Sequence, residues 1–301
     1  MANVRELKQR MTSVQNTKKI TSAMYQIASA KLRKAKAGLE KARPYFSHTE
    51  SEIKKIFRTA GDTGSRYFAK KDEEDERPMG YLVITADRGL AGAYNYNVLK
   101  AAAAEIRKRK RVRLYVIGEY GRRYFKKRGG PIEEAFYYTA QDPNLHRARE
   151  IAERLLMEYD SGRICGISVI YSDMETELTS TVKCSRLLPF EHGDIAAEEG
   201  DKSRVRYHFE PSPAAVIESM IPSYMTGFVY GALVDSFSAE QNARMNAMSN
   251  ANRNAEELMG SLRLEYNRTR QAIVTQEITE VAAGARAQRR KKKKRSQEEA
   301  S

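Results

Sequence analysis

The sequence predicts an α/β protein with long helices, in which an N-terminal and a C-terminal helix pair as an antiparallel coiled coil and enclose a central α/β module. Three observations support this fold class. The first 57 residues contain only one glycine and one proline, and no proline follows Pro222. Apolar residues near both ends recur at steps of three and four, the seam pattern of paired helices. Between them, short apolar runs alternate with helical stretches, as in a parallel sheet with helical crossovers.

The first element is a helix over residues 3 to about 57, because Ala, Lys, Arg, Leu and Gln dominate there. Asn3 and Glu6 have the spacing of a capping box. The apolar seam is narrow, and the polar stretch 15–19 interrupts it. Its members are Val4, Leu7, Met11, Val14, Met24, Ile27, Ala28, Leu32, Ala35 and Leu39. At about 1.5 Å per residue the helix is roughly 80 Å long and needs a long partner.

The central module follows a charged link at 61–77 and is predicted to be a Rossmann-like α/β domain over 78–211. Short apolar runs predict buried parallel strands at 81–85, 113–117 and 164–171. Helical stretches between them lie at 95–110, 120–127 and 145–159. The run 181–188 adds an antiparallel strand, and 205–209 adds a further short strand after an acidic loop.

The C-terminal helix is predicted over 212–285, followed by a basic tail at 286–301. Its apolar positions are mostly three, four or seven residues apart. They are Tyr224, Phe228, Leu233, Phe237, Met245, Met248, Ala255, Leu258, Leu262, Tyr266 and Ile273. Two such helices can bury their apolar stripes only against each other or against a partner. We therefore expect them to pair, with 1–60 as the N-terminal helix of the coiled coil. The last turns then project as a single helix.

The charge balance favours an acidic partner. The 301 residues contain 53 Lys and Arg against 39 Asp and Glu, a net charge of +14, which is typical of proteins that contact nucleic acid, an anionic membrane surface or an acidic protein. Residues 1–60 carry +10 and residues 286–301 carry +6. The N-terminal cations lie beside the seam, where they face either an acidic protein or solvent. The C-terminal run has no interleaved aromatic residues for base stacking, which favours a solvated tail.

The sequence contains no recognisable set of enzyme residues. Gly118 and Gly121 follow a predicted strand and open a helix, but a phosphate-binding turn also needs a third glycine or a Walker Lys-Ser/Thr pair. No Cys, His or carboxylate spacing is that of a metal site. Cys165 and Cys184 lie in apolar strand-like runs and are predicted to be buried thiols in a reducing compartment. We also expect neither a membrane-spanning segment nor an import sequence.

Three groups of motifs occur in order along the chain. The first comprises Leu-Lys-Gln-Arg-Met-Thr-Ser-Val at 7–14, Asn-Thr-Lys-Lys-Ile-Thr-Ser-Ala-Met at 16–24 and Ala-Lys-Leu-Arg at 30–33. The second is Asp-Arg-Gly-Leu at 87–90, followed by Asn95. The third comprises Ala-Arg-Met-Asn-Ala-Met at 243–248, Tyr-Asn-Arg-Thr-Arg-Gln-Ala-Ile at 266–273 and Thr-Gln-Glu-Ile-Thr-Glu-Val at 275–281. Nearly the whole chain up to Gly284 thereby resembles the gamma subunit family of F-type ATP synthases.

This resemblance implies a non-catalytic rotor shaft that couples the ion-driven rotation of a membrane ring to ATP synthesis in a hexamer of alpha and beta subunits. ATP hydrolysis in the hexamer would turn the shaft in the opposite direction. It implies contacts with the alpha, beta and epsilon subunits and the membrane c-ring, no cofactor and no nucleic acid. The location implied is peripheral, on the cytoplasmic side of a bacterial cell membrane. The alternatives are a nucleic-acid-associated coiled-coil protein and a dinucleotide-binding enzyme.

The resemblance also assigns contacts with the hexamer to eight residues. They are Lys18, Lys19, Met24, Arg244, Arg270, Gln271, Thr275 and Glu277. The first three match positions where the family's N-terminal helix meets the beta subunit and influences coupling. The others match, or lie beside, C-terminal positions that form polar contacts with catch regions of the hexamer. The alternatives are that Met24 is only a seam residue and Gln271 part of a solvated face.

The basic tail extends past the family's usual C-terminal end, where the helix tip lies in an apolar bearing. Burying eight unpaired cations there would cost a prohibitive amount of free energy. We therefore expect the tail to emerge through the far opening of the hexamer.

Overall fold

The computed structural model describes residues 4–60, 65–68, 76–133, 140–174, 179–190 and 209–298, with side chains at all of these except 50, 57–60 and 290–298. Their helices and strands, in chain order, are α1 (Val4–Ala60), β1 (Met79–Ile84), α2 (Tyr94–Arg107), β2 (Val112–Ile117), α3 (Glu119–Lys127), α4 (Leu145–Asp160), β3 (Gly166–Met174), β4 (Ser180–Leu188) and α5 (Pro213–Glu298). The chain forms two units. The helix-pair unit comprises Met1–Tyr25 and Met248–Ser301, and the α/β unit comprises Gln26–Ala247.

The two predicted terminal helices are both present. α1 continues through Pro44, and α5 continues through Pro222 and onward without a break from 285 to Glu298. The predicted strand at 205–209 lies, except for its last residue, outside the described residues. The other predicted strands and helices are confirmed, with ends that differ by at most three residues.

The sheet has the strand order β2-β1-β3-β4. β1 pairs in parallel with both β2 and β3, and β4 runs antiparallel to β3, as the sequence predicted. All six residues of β1 are buried, because helices cover both faces of the sheet. Leu82 and Ile84 pack with α4 and α5 on one face, whereas Tyr81 and Val83 pack with α2 and α3 on the other.

In the helix-pair unit, α1 and α5 run antiparallel. Arg10 and Ser13 line a groove with Leu258 and Leu262. Further along α1, Lys18 contacts Glu256 and Thr21 contacts Asn252, so rising residue numbers in α1 meet falling numbers in α5. Leu7, Met248 and Leu262 are buried. This pairing confirms the antiparallel coiled coil predicted from the seam.

In the α/β unit, the same two helices also pack closely and antiparallel. The Phe46 ring lies 6.2 Å from that of Tyr230. A Cβ added at Gly227 would lie 2.1 Å from the Phe46 ring, and one added at Gly38 would lie 3.3 Å from the Tyr230 hydroxyl. Both glycines therefore permit a close approach that a side chain would prevent.

Asp235 on α5 is a carboxyl group whose charge opposes folding. Burial and the nearby Asp173 raise its pKa to about 6, although Arg43 and Lys183 act in the opposite direction. The pKa of an unfolded Asp is about 3.9. The resulting destabilisation is absent below pH 4, grows as the pH rises to 6 and is complete above it.

We therefore expect Asp235→Asn to stabilise the protein by about 2 kcal/mol at pH 7.5 and by much less at pH 4.5. Urea unfolding of both proteins at the two pH values measures the difference. An equal gain at both pH values would contradict this explanation, because a packing effect of the amide does not depend on the ionisation of Asp235.

Candidate functional site

The three N-terminal candidates occupy different environments on α1. Lys18 donates a hydrogen bond to Glu256 on α5, with Nζ and Oε1 2.6 Å apart. This contact lowers the pKa of Glu256. Lys19 is exposed, and Met24 is half-buried. Lys18 therefore helps to hold the helix pair together, and Lys19 points its charge to solvent.

The four distal C-terminal candidates lie on an exposed part of α5. Arg270, Gln271, Thr275 and Glu277 are all exposed, as is every described side chain from 270 to 289. Large apolar side chains are interspersed among them. They are Ile273, Val274, Ile278 and Val281, and the last two are 64% and 73% exposed.

These apolar residues are not randomly distributed around α5. Val274, Ile278 and Val281 follow one another at steps of four and three, which places them on one face of the helix. Contiguous exposed apolar surface of this kind marks interaction sites in soluble proteins. The polar candidates and this apolar stripe thus form a helical surface suited to a protein partner.

Arg244 differs from the other candidates because its guanidinium is engaged within the α/β unit. Nη1 lies 2.6 Å from Oε1 of Glu240, and Nη2 donates to the carbonyl oxygen of Gly89 at 3.1 Å. The Arg244 and Glu240 side chains are 11% and 5% exposed. Burial raises the pKa of Glu240, and the charge and hydrogen bond of Arg244 counteract this increase. Arg244 therefore joins α5 to the loop after β1.

That loop is stabilised by the side chains of the Asp-Arg-Gly-Leu motif and of Asn95. Asp87 accepts hydrogen bonds from the amides of Glu119 and Ala140, and Asn95 accepts one from the amide of Ala86. Leu90 has a φ of 61° and is 65% exposed. The loop is thus held at its base and presents an apolar side chain at its tip.

The glycine turn before α3 serves packing. The amides of Glu119, Tyr120 and Gly121 donate to Asp87, to the carbonyl of Ala86 and to the hydroxyl of Thr85. Because protein acceptors already occupy these donors, the helix N-terminus does not present them to a phosphate. The glycines are required by the proximity of Thr85.

Sequence reasoning missed Glu240, although its position four residues before Arg244 on a predicted helix indicates an ion pair. The prediction that both cysteines are buried is wrong, because Cys165 is half-buried and Cys184 is exposed on β4. Neither forms a disulfide bond. Partial burial of its sulfur and the nearby Glu105 raise the pKa of Cys184 to about 11.

Neither a metal-binding group of side chains nor a membrane-spanning helix is present among the described residues. Within the described ranges, no three His, Cys, Asp or Glu side chains are grouped so that they could hold a metal ion. Across the same part of the chain, no helix combines the length and the apolar character needed to span a membrane.

Comparison with known proteins identifies the family. The family model described as ATP synthase matches residues 3–288. The ATP synthase gamma chain of Caldanaerobacter subterraneus subsp. tengcongensis is 42% identical over 294 residues, which cover 93% of this chain and 98% of that protein. The gamma chain of Ruminiclostridium cellulolyticum is 38% identical, with 95% and 98% covered. The chain belongs to the ATP synthase gamma chain family.

Solved structures of ATP synthases share the fold. A chain from the central stalk and c-ring of the Tetrahymena thermophila mitochondrial ATP synthase has a TM-score of 0.55 at 23% identity, with 77% of this chain and 99% of that chain covered. A chain from the Euglena gracilis mitochondrial ATP synthase has a TM-score of 0.52 at 16% identity, with 88% and 95% covered.

Membership in the gamma chain family confirms the resemblance that the motifs indicated. The function of the chain is that of the family, the rotor shaft of an ATP synthase, and the comparisons do not support a nucleic-acid-associated coiled-coil protein. The chain is accordingly a subunit of a membrane-associated complex.

Proposed function

We propose that this chain transmits the ion-driven rotation of the membrane c-ring to the catalytic sites of a hexamer of alpha and beta subunits. In this arrangement the helix-pair unit lies inside the hexamer, and the α/β unit binds the epsilon subunit and the c-ring. The chain itself breaks no bond and holds no nucleotide. It is attached peripherally, through the ring, to the cytoplasmic side of a bacterial membrane.

The observation that carries this proposal is the surface of α5 beyond residue 270. About 30 Å of helix expose Val274, Ile278 and Val281 on one face, together with the polar candidates. A helix in water normally buries such an apolar stripe. An apolar sleeve at the centre of a hexamer would cover it while leaving the shaft free to turn.

An asymmetric shaft explains how rotation selects conformations. The two helices present different side chains in each direction, so three equivalent catalytic sites around them meet different surfaces. A shaft that favours a different conformation at each site shifts their populations, and turning the shaft exchanges the roles of the sites. The polar side chains of Arg270, Gln271, Thr275 and Glu277 are exposed, and they supply contacts that form at one angle and break at another.

For Arg244 we propose an indirect part in coupling. Its guanidinium is occupied by Glu240 and by the carbonyl of Gly89, so it acts by holding the loop that exposes Arg88 and Leu90. That loop then makes the contact with the hexamer. On the N-terminal helix, Lys19 contacts the beta subunit through its exposed charge, whereas Lys18 and Met24 act partly through the helix pair.

We expect Gln271→Leu to lower the rate of ATP hydrolysis by the reconstituted complex about fivefold, because one net hydrogen bond of about 1 kcal/mol is lost from the rotational cycle. Gln276→Leu is the matched control. This residue has the same type, is equally exposed on α5 and lies about 140° around the helix from Gln271. Equal rates for the two variants would contradict the assigned contact.

The tail is proposed to emerge from the far end of the hexamer. The family match stops at residue 288, and the run Lys291 to Lys294 follows it. Because cations are costly to bury without partners, the tail is placed in solvent. Protease cleavage of the assembled complex after these lysines, at a rate similar to that in the isolated chain, is the expected result.

The proposal is tested by mixing the purified chain with alpha and beta subunits and measuring ATP hydrolysis and co-elution. We expect one active complex containing all three chains, and no hydrolysis by this chain alone. A tagged chain purified from its native membranes should carry the same partners together with epsilon and the c-ring. A chain that elutes alone, or that hydrolyses ATP alone, would overturn the proposal.

A further inference from the structure

A dense basic segment joins α2 to β2. Six of the seven residues from Arg107 to Arg113 are Lys or Arg, and those from Arg107 to Arg111 are exposed. The ends of the segment have structural roles. Lys108 pairs with Glu105 at 2.6 Å, and Arg113 lies 3.3 Å from the buried Glu158. Arg109 also forms a hydrogen bond with the buried Tyr81. These roles do not explain Lys110 and Arg111.

The central cations of this segment form one wall of a cleft. Its volume is about 420 Å³, and it is lined by Glu76, Arg77, Met79, Cys165 and the run 108–111. Backbone hydrogen bonds hold the walls together, since the amide of Met79 donates to the carbonyl of Arg111 at 3.1 Å. Five of the lining side chains are cationic and one is acidic, so the cleft carries a strong positive potential.

The cleft lies at a defined end of the α/β unit. Residues 79, 111 and 165 are at the amino edge of the three parallel strands. At this same edge Phe190 contacts Tyr224 of α5, with ring centroids 5.4 Å apart, whereas Gly89 at the carboxyl edge contacts Arg244. If the proposed function is correct, the loop at Gly89 contacts the hexamer, so the opposite, amino edge of the α/β unit faces the c-ring and the membrane.

We infer that this cleft, called here the basic cleft, binds phosphate headgroups of anionic lipids at the membrane surface. Lys and Arg side chains near an anionic bilayer each contribute to binding, and their contributions add over a cluster. A concave site lets several cations surround one phosphate, which a flat patch does not. In a fluid lipid surface the headgroups have no fixed positions around the rotation axis. Contacts with them would therefore hold the shaft near the membrane without opposing its rotation.

The test uses the full-length chain and vesicles of phosphatidylcholine with or without phosphatidylglycerol. One variant carries Lys108→Gln, Arg109→Gln, Lys110→Gln and Arg111→Gln. The matched control removes the same charge from the tail through Lys291→Gln, Lys292→Gln, Lys293→Gln and Lys294→Gln. We expect the first variant to bind anionic vesicles at least tenfold more weakly than the control does, with thermal unfolding unchanged in both. Neither should bind neutral vesicles.

Each other outcome overturns the inference. Equal losses in the two variants would indicate a general effect of net charge. Displacement of the vesicles by millimolar inorganic phosphate at constant ionic strength would assign the cleft to a free phosphate. Unchanged vesicle binding combined with lost binding to epsilon or the c-ring would assign it to a protein contact. Because vesicle binding does not require alpha or beta subunits, its failure is distinguishable from failure of the proposed function.

Discussion

Replacing Arg244 by methionine is expected to destabilise the α/β unit by about 3 kcal/mol at pH 8, because it leaves a buried carboxylate without its counter-charge. Glu240 is 5% exposed, and its Oε1 lies 2.6 Å from the Arg244 guanidinium. The variant also removes the donor to the Gly89 carbonyl. Urea unfolding followed by circular dichroism measures the loss.

The pH dependence and a double variant separate this cause from a simple loss of packing. Burial already raises the pKa of Glu240, and without Arg244 its pKa should rise further. The destabilisation should therefore shrink as the pH falls and Glu240 becomes protonated. Adding Glu240→Gln to Arg244→Met should restore much of the stability at pH 8, because no charge then remains buried. A loss that is independent of pH would contradict the ion-pair explanation.

A second substitution, Arg244→Lys, tests the proposed part of Arg244 in coupling. If the residue acts by holding the loop at Gly89, Arg244→Lys should keep the charge beside Glu240 while losing the second, forked hydrogen bond. Stability should then be largely retained, but ATP hydrolysis by the reconstituted complex should fall. Full activity of Arg244→Lys would indicate that the loop needs no such support.

Gly118→Ala is expected to destabilise the α/β unit by more than about 4 kcal/mol, or to prevent its folding, because steric overlap adds to backbone strain. Gly118 has a φ of 93°, and a Cβ there would lie 2.1 Å from the carbonyl oxygen of Thr85. That oxygen belongs to the backbone beside β1, so it cannot move aside without disrupting the sheet. Soluble yield and thermal unfolding measure the effect.

Gly129→Ala is the matched control for Gly118→Ala. Gly129 also has a positive φ, 68°, but an added Cβ would meet no atom within 4 Å. Gly129→Ala should then lower the free energy of unfolding only by the strain of the left-handed backbone, about 1 kcal/mol. Similar losses in the two variants would show that the close approach of Thr85 is not the cause. A much larger loss at Gly118 would identify the glycine turn as a packing requirement.

Several features of this protein followed from its sequence. Local periodicity encodes the order of helices and strands, the antiparallel edge strand and the pairing of the terminal helices. Burial on one face of a helix, or on both faces of a strand, leaves a regular pattern of apolar residues in the sequence. The family followed from motifs with a fixed order. The exposed position of Gln271 and Thr275 agrees with the polar character of that part of α5.

Other features were decided only by tertiary structure. Glu158 is 1% exposed and lies against Arg113, Arg154 and Arg163, an arrangement that joins β2 to α4 and the loop after it. Cys184 was expected to be buried from its apolar neighbours, but it is exposed on β4. A strand with this apolar pattern can lie at the centre or at the edge of a sheet. The local pattern therefore does not reveal whether a side chain such as that of Cys184 is exposed.

The sites of greatest interest belong to this second group. Arg244 was recognised from a motif, but its contacts with Glu240 and Gly89 depend on how α5 packs beside the loop after β1. The basic cleft brings Arg77 together with residues 108–111 because three strand ends meet at one edge. The sequence by itself determined the elements and the family. Only the tertiary structure decided which distant side chains share a site, because that depends on long-range packing.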